Sequence, residues 1–304
     1  MRVRPRYVVY LPLGAADLAL GRTAAIESCG GLMALRALAA TLARIDGPAL
    51  LAADLEEISP EVRADLRSGE AIAVYPEGIP GNPLRARRRI RWVLYHVDRT
   101  RLRAWERAGD TVWFYWPQFH PDGQGAPVLT VIDADLQRFQ DRNGARAGVC
   151  FRTGKGGSPR ADAGPDREEI LHAAQILRTC CAPIHLTSDD VSRPAERLPD
   201  RLTLEALADA FNRTKMFVSY DTESATSVLA ALCGCVSVIL PPSGISRALA
   251  LPCFDHGVAW GWEELPRAVS SLPGVRPYVA DLLHGQDARV QTLIAALASP
   301  AGRR

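Results

Sequence analysis

Two stretches of the chain concentrate side chains that can do chemistry. SYDTESATS, Ser219–Ser227, crowds hydroxyls and carboxylates between the apolar run KMFVSY and the small apolar run VLAALCGC. Hydroxyls in the first turns of a helix lie beside backbone N–H groups carrying about half a positive charge, so together they make an anion cradle. Tyr220 would end the strand, Asp221 or Thr222 would cap the helix, and Ser224, Thr226 and Ser227 would decorate its first turns. Ordinary capping accounts for Asp221 or Thr222 but leaves the remaining hydroxyls without a purpose. The second stretch is FRTGKGG, Phe151–Gly157. Its glycines let backbone approach a ligand closely, while Arg152 and Lys155 can neutralise a diphosphate. A P-loop is the rival reading, but five residues separate Gly148 from Gly154, one too many for GxxxxGK[ST], and Gly156 stands where Ser or Thr must hold magnesium.

Further candidates lie in the first half. Gly30 and Gly31 open the helical run GGLMALRALAATLARI, either for close packing or where another molecule meets the helix end. YPEGIPGNPL, Tyr75–Leu84, forms a rigid turn after an apolar run. Its Glu77 is the carboxylate best placed to accept a proton, and Asn82 is a further polar candidate in the same turn. Asp133 and Asp135 form a DxD pair, which reads as metal-binding or, more simply, as the cap of a helix DLQRF. RARRRIR, Arg85–Arg91, reads either as the solvated face of a helix or as a surface for an anionic partner, such as a lipid headgroup or a phosphorylated substrate.

These residues need a scaffold, and the alternation of short apolar runs with helical periods supplies one. It predicts βα units and mostly parallel sheets. Expected strands in the first half are RYVVYL, PALLA, AIAVY, TVWFYW and VLTVI; in the second they are GVCF, IHLT, KMFVSY and VSVIL, with helix from about Trp262 onward. The polar stretch QDRNGARAG marks a joint, giving two α/β, Rossmann-like domains over residues 1–144 and 145–304. In such sheets ligands bind beyond the carboxyl ends of the strands, where both opening stretches would lie.

Composition narrows the classes. A length of 304 residues, 47% hydrophobic and 23% charged, describes a globular chain of about two domains. A net charge of +2 gives no support for a nucleic-acid binder. The seven cysteines show neither a disulfide framework nor zinc spacing, and suggest a reducing compartment. The N-terminal apolar run is short, broken by Pro12 and Gly14, and reads as a strand. No run approaches the roughly 18 apolar residues of a membrane span. A cytoplasmic protein is expected, with any inner-membrane contact peripheral.

Taken in order, CGGLMALRALAATL, AVYPEGIPGNPLRARRRIRWVLY, VLTVIDADLQRF, GVCFRTGKG and KMFVSYDTESATSVLAALCGCVSVILP resemble bacterial glycosyltransferases of the GT-B fold, of the kind found in polysaccharide and lipopolysaccharide biosynthesis. The resemblance implies two Rossmann-like domains facing a cleft. The first would bind a saccharide or lipid-linked acceptor and the second a nucleotide diphosphate sugar, with neither metal nor cofactor. It implies that Lys155 and Gly156 face the donor phosphates, that Asp221, Thr222, Thr226 and Ser227 line the donor pocket, and that Gly30 and Gly31 let the acceptor-domain loop approach the donor; the residues themselves add Arg152 and Tyr220 to the donor side, Asn82 to the acceptor side and Glu77 as base. SVLAALCG lacks the carboxylate with which many members hold the ribose, and Arg36 lies in the neighbourhood where a His often follows the Gly-Gly helix start. The alternatives are a non-catalytic nucleotide-sugar-binding or scaffold protein and an NTP-dependent enzyme.

Overall fold

A computed structural model of the chain describes residues 5–14, 17, 19, 21–123, 125–154, 159–180, 184–242 and 245–299, with the side chains of Pro159, Arg160 and Leu249 left out. Lys155 and Gly156 lie outside the described residues. The chain divides into two compact units, Met1–Asp133 with Leu282–Arg304, and Ala134–Asp281. The joint therefore precedes the sequence-derived boundary at 144/145, and the C-terminal segment returns to the first unit instead of staying with the second.

The first unit carries strands β1 (Tyr7–Tyr10), β2 (Ala49–Ala52), β3 (Ile72–Pro76), β4 (Arg88–Val93) and β5 (Thr111–Phe114), with helices α1 (Arg22–Glu27), α2 (Gly30–Ile45), α3 (Pro60–Ser68) and α4 (Arg99–Arg107). The strands are parallel in the order β2-β1-β3-β4-β5. Alternate residues of the central strands serve opposite faces. Val8, Ala73 and Tyr75 pack with Val62 and Leu66 of α3, while α2, lying against β1 and β2, buries Leu35, Leu38 and Leu42.

Strand β4 corrects the helical reading of RARRRIR. Arg91 is 1% exposed, and its Nη2 lies 2.9 Å from Asp110 Oδ2. Its guanidinium also stands over the rings of Tyr75 and Trp105 at 4.9 and 5.1 Å, and donates to the carbonyls of Ile79 and Gly81. A charge in a sheet core survives only when paired and fully hydrogen-bonded. VLTVI also departs from expectation: Leu129 and Val131 are buried, yet the segment meets β5 only through an isolated bridge between Phe114 and Val128. The expected helix DLQRF is a turn, in which Asp135 Oδ1 accepts from the Gln137 and Arg138 amides.

The second unit carries β6 (Val149–Arg152), β7 (Glu196–Arg197), β8 (Met216–Ser219), β9 (Val236–Ile239) and β10 (Val258–Trp260), with α5 (Pro159–Ala163), α6 (Arg167–Thr179), α7 (Ser188–Ser192), α8 (Leu204–Arg213), α9 (Thr226–Leu232) and α10 (Leu265–Ser271). Helix α11 (Val275–Ala298) passes from the second unit, to which its residues up to Asp281 belong, into the first. The sheet is parallel in the order β10-β9-β8-β6-β7. Expected strand IHLT forms no strand, and the short pair Glu196–Arg197 takes the edge beside β6. β10, absent from the sequence reading, completes five strands. Val149, Phe151, Met216, Val218, Val236, Val238 and Ala259 form one core face with α6 and α10, so this sheet too is covered.

At the amino edge of this sheet Asp190 is 2% exposed. It accepts from the Gly148 amide at 2.6 Å, the Thr187 amide at 2.7 Å and Lys215 Nζ at 2.7 Å. Burial alone would raise its pKa, but the hydrogen bonds from Lys215, Thr187 and Gly148 outweigh it and hold the carboxyl at about 2. A carboxyl depressed from 3.8 to about 2 stabilises the fold by about 2 kcal/mol above pH 4 and loses that contribution as pH falls towards 2. Asp190→Asn is therefore expected to lower the urea unfolding free energy at pH 7 by about 3 kcal/mol, since Lys215 is left unpaired. The gap to wild type should narrow steadily below pH 4. A gap that stays constant down to pH 2.5 would contradict this assignment.

Candidate functional site

Both units share one topology. Numbering the strands within each unit by chain order gives 2-1-3-4-5 in both. After its second strand the chain crosses the first to build the other half of the sheet. The loops leaving the first and third strands therefore diverge at the carboxyl edge and open a crevice, where ligands bind in open α/β sheets. In the second unit those strands are β6 and β8, with Arg152 in register with Ser219. Phe151–Gly154, the described part of one stretch singled out in the sequence, and the turn after Ser219 in the other are thus the walls of one switch point.

Their contact is tight. The Tyr220 amide donates to the Arg152 carbonyl at 3.2 Å, continuing the ladder past the strand ends. Gly154 has φ +73°, and a Cβ there would lie 2.5 Å from Asp221 Cβ and 3.2 Å from Asp221 Cα. Only glycine lets the two loops meet so closely.

Arg152 supplies positive charge to this edge. Burial lowers its pKa, opposed by the charges of Asp200 and Asp221, and guanidinium remains charged throughout the working range. It donates to the Asp200 carbonyl and, at 3.4 Å, to Thr226 Oγ1. Ser224 Oγ donates to the same Thr226 oxygen at 2.8 Å. With both lone pairs of Thr226 accepting, its hydroxyl hydrogen is left to donate to a ligand. Thr222 is half-buried in the same turn, and Tyr220 packs edge-on against Phe151 with ring centroids 6.5 Å apart.

Two details of the sequence reading change. Helix α9 starts at Thr226, so neither Asp221 nor Thr222 caps it. Asp221 Oδ1 instead accepts from the Glu223 amide at 3.0 Å, and Ser224 Oγ accepts from the Thr226 amide at 3.2 Å. The first-turn amides of Ser227 and Val228 already bond to the Ser224 and Ala225 carbonyls, which leaves side chains rather than a helix end to meet an anion. Ser227 is fully buried and its Oγ has no hydrogen-bond partner, so the ligand-facing hydroxyls stop at Thr226. The helical turn carries the next residue inward towards the sheet.

The switch point of the first unit falls between β1 and β3. Glu77 directly follows β3, and its Oε2 accepts from the Leu94 amide, just past β4, at 2.8 Å. Gly31, in the first turn of α2, would place a Cβ 3.6 Å from Leu94 Cδ1, while the corresponding space at Gly30 is open. Glu77 and the opening of α2 therefore converge on Leu94. Neither glycine has a positive φ, so their value lies in leaving that helix end bare. Asn82 is used differently: its Oδ1 accepts from Tyr75 Oη at 2.8 Å and the Ala86 amide at 2.9 Å, and its Nδ2 donates to the Ala86 carbonyl. It clasps the turn that carries Glu77.

Asp133 pairs with Arg36 at 2.7 Å and Asp135 caps its own turn. Among the described residues no three His, Cys, Asp or Glu side chains gather as a metal site would require. No described helix is long and apolar enough to cross a membrane. Gly154 and Ser224 carry more of the geometry than the sequence reading gave them. Gly154 was visible as the first glycine of the GKGG run, whereas the role of Ser224 depends on where α9 begins.

No protein-family model matches the chain, and no curated protein sequence matches it. Among solved structures it is similar to the spinosyn rhamnosyltransferase SpnG complexed with thymidine diphosphate, at 14% identity, TM-score 0.36 and 97% coverage of both chains. It is also similar to Os79 from O. sativa in complex with UDP, at 12% identity and TM-score 0.34, over 92% of this chain and 95% of that one. At such overlap the functional reading rests on this chain's own residues.

Proposed function

We propose that the chain is a metal-independent glycosyltransferase of the GT-B type that moves a sugar from a nucleotide diphosphate donor to an acceptor hydroxyl. The donor diphosphate sits at the switch point of the second sheet. The observation that carries this reading is the close approach of Gly154 to Asp221, which brings the chain leaving β6 through Arg152 to the turn that carries Thr222 and Thr226. Arg152, Lys155 and the Thr226 hydroxyl then stabilise charge accumulating on the departing diphosphate, the largest contribution expected at such a site. Glu77 is the base for the acceptor hydroxyl. A saccharide or lipid-linked acceptor and a role in bacterial surface polysaccharide or glycoconjugate assembly complete the reading.

The test is thermal unfolding of the purified chain with UDP, GDP, dTDP and CMP, each with and without magnesium. A ligand at 100 times its Kd stabilises the fold by about 2.7 kcal/mol. At least one nucleotide should raise the melting temperature without magnesium, and Arg152→Ala and Lys155→Ala should each weaken that binding about tenfold or more. Absence of any nucleotide shift removes the reading; binding without transfer, with acceptors present, leaves a nucleotide-sugar-binding protein.

A further inference from the structure

The arginine run that the sequence left between two readings divides in the structure. Arg89 and Arg91 turn to Asp110, whereas Arg87 and Arg88 join Arg6 around a cavity of about 360 Å³, lined also by Ser68, Gly69, Ile72, Leu297 and Ala298. Arg6 precedes β1, Ile72 opens β3 and Arg88 opens β4. The cavity therefore lies at the amino edge of the first sheet, the edge opposite Glu77.

Its electrostatics are unbalanced. Among the described residues the one carboxylate paired with these three arginines is Asp46, 3.0 Å from Arg6 Nη1. Arg88 Nη2 donates to the Leu297 carbonyl at 2.9 Å, but its Nε is buried without a hydrogen-bond partner. Arg87 is exposed, and its guanidinium makes no ion pair among the described residues. Gly69, at φ +89° beyond the end of α3, holds the two stems together: a Cβ there would lie 3.4 Å from Arg87 Cδ and Arg88 Cγ. Clustering like charges beside a buried unpaired donor costs stability unless an anion completes the set.

We infer that this cavity binds a phosphate monoester. Such a group carries nearly two negative charges at pH 7, and its oxygens match the forked donors of guanidinium. The volume falls in the range of small-molecule pockets and exceeds what a bare phosphate fills. Leu297 and Ile72 offer apolar wall to the attached carbon atoms. The same chemistry is presented by a soluble sugar or polyol phosphate and by the headgroup of phosphatidate.

Titration calorimetry of the full chain with glycerol phosphate, beside Arg87→Gln and Arg87→Glu, tests the assignment. Arg87 is exposed and outside the proposed donor site, so both variants should fold with unchanged circular dichroism. Wild type should bind, Arg87→Gln about tenfold more weakly, and Arg87→Glu not measurably. Co-sedimentation with phosphatidylcholine vesicles, with and without phosphatidate, separates the sources. Arg87-dependent pelleting with phosphatidate assigns a lipid headgroup, and calorimetric binding without pelleting assigns a soluble ester. Equal glycerol phosphate binding by all three proteins, or binding of neither ester nor vesicle by wild type, overturns the inference.

Discussion

Gly154→Ala is expected to lower the stability of the second unit by about 2–4 kcal/mol and to weaken nucleotide binding by about tenfold or more. Two costs combine. An L side chain at φ +73° is strained by about 1–2 kcal/mol. The added Cβ would also stand 2.5 Å from Asp221 Cβ and 3.2 Å from Asp221 Cα. Backbone cannot swing away as the end of a flexible side chain could, and Asp221 is held by a hydrogen bond from its amide to Ser219 Oγ at 3.1 Å. The β6 and β8 loops must therefore part. Measured by urea unfolding and nucleotide titration, the variant should lose both properties together. The double variant Gly154→Ala/Asp221→Gly should recover part of both, because the closest contact is gone. If Gly154→Ala binds nucleotide as wild type does, the apposition of the two loops is not what builds the site.

That contact also marks how far the sequence could be read. Alternating apolar and helical periods located most strands of both sheets, since burial on both faces writes continuous β-branched runs into a parallel sheet. Positions tied to distant partners were harder. RARRRIR reads as the solvated face of a helix because nothing local announces that Asp110, some twenty residues on, neutralises Arg91 between Tyr75 and Trp105. VLTVI has the residues of a strand and the burial of one, but lies past the edge strand with too few ladder bonds to extend it. Glu196–Arg197 is the reverse case, a strand made by its neighbour β6 and not by its own propensity.

At the candidate site, the shared sheet edge was legible and the direction each hydroxyl takes was not. Arg152, Asp221, Thr222 and Thr226 share one edge as the sequence suggested. The start of α9 at Thr226 decides which hydroxyls face outward. A shift of helix start by three or four residues moves Ser227 from the rim to the interior, and no local signal distinguishes the cap among the four consecutive polar residues Asp221–Ser224. Asn82 shows the same limit: its type suggests a ligand, whereas its three bonds fold the turn that presents Glu77.

Glu77→Gln is expected to reduce the transfer rate by about a hundredfold or more while leaving stability and nucleotide affinity near wild type. The carboxylate is anchored on one side, where Oε2 accepts from the Leu94 amide at 2.8 Å. The amide oxygen of the substituted side chain can accept that same bond, so the carboxyl edge of the first sheet keeps its shape. What disappears is the capacity of Oε1 to take a proton from an acceptor hydroxyl. Glu77→Ala should differ in kind: it also strands the Leu94 amide, and unfolding free energy should fall by about 1–3 kcal/mol. Single-turnover transfer rates and unfolding curves for the two variants separate proton abstraction from support of the strand end. Undiminished turnover by Glu77→Gln would leave Glu77 as a brace for β4 and move the search for the base to another residue.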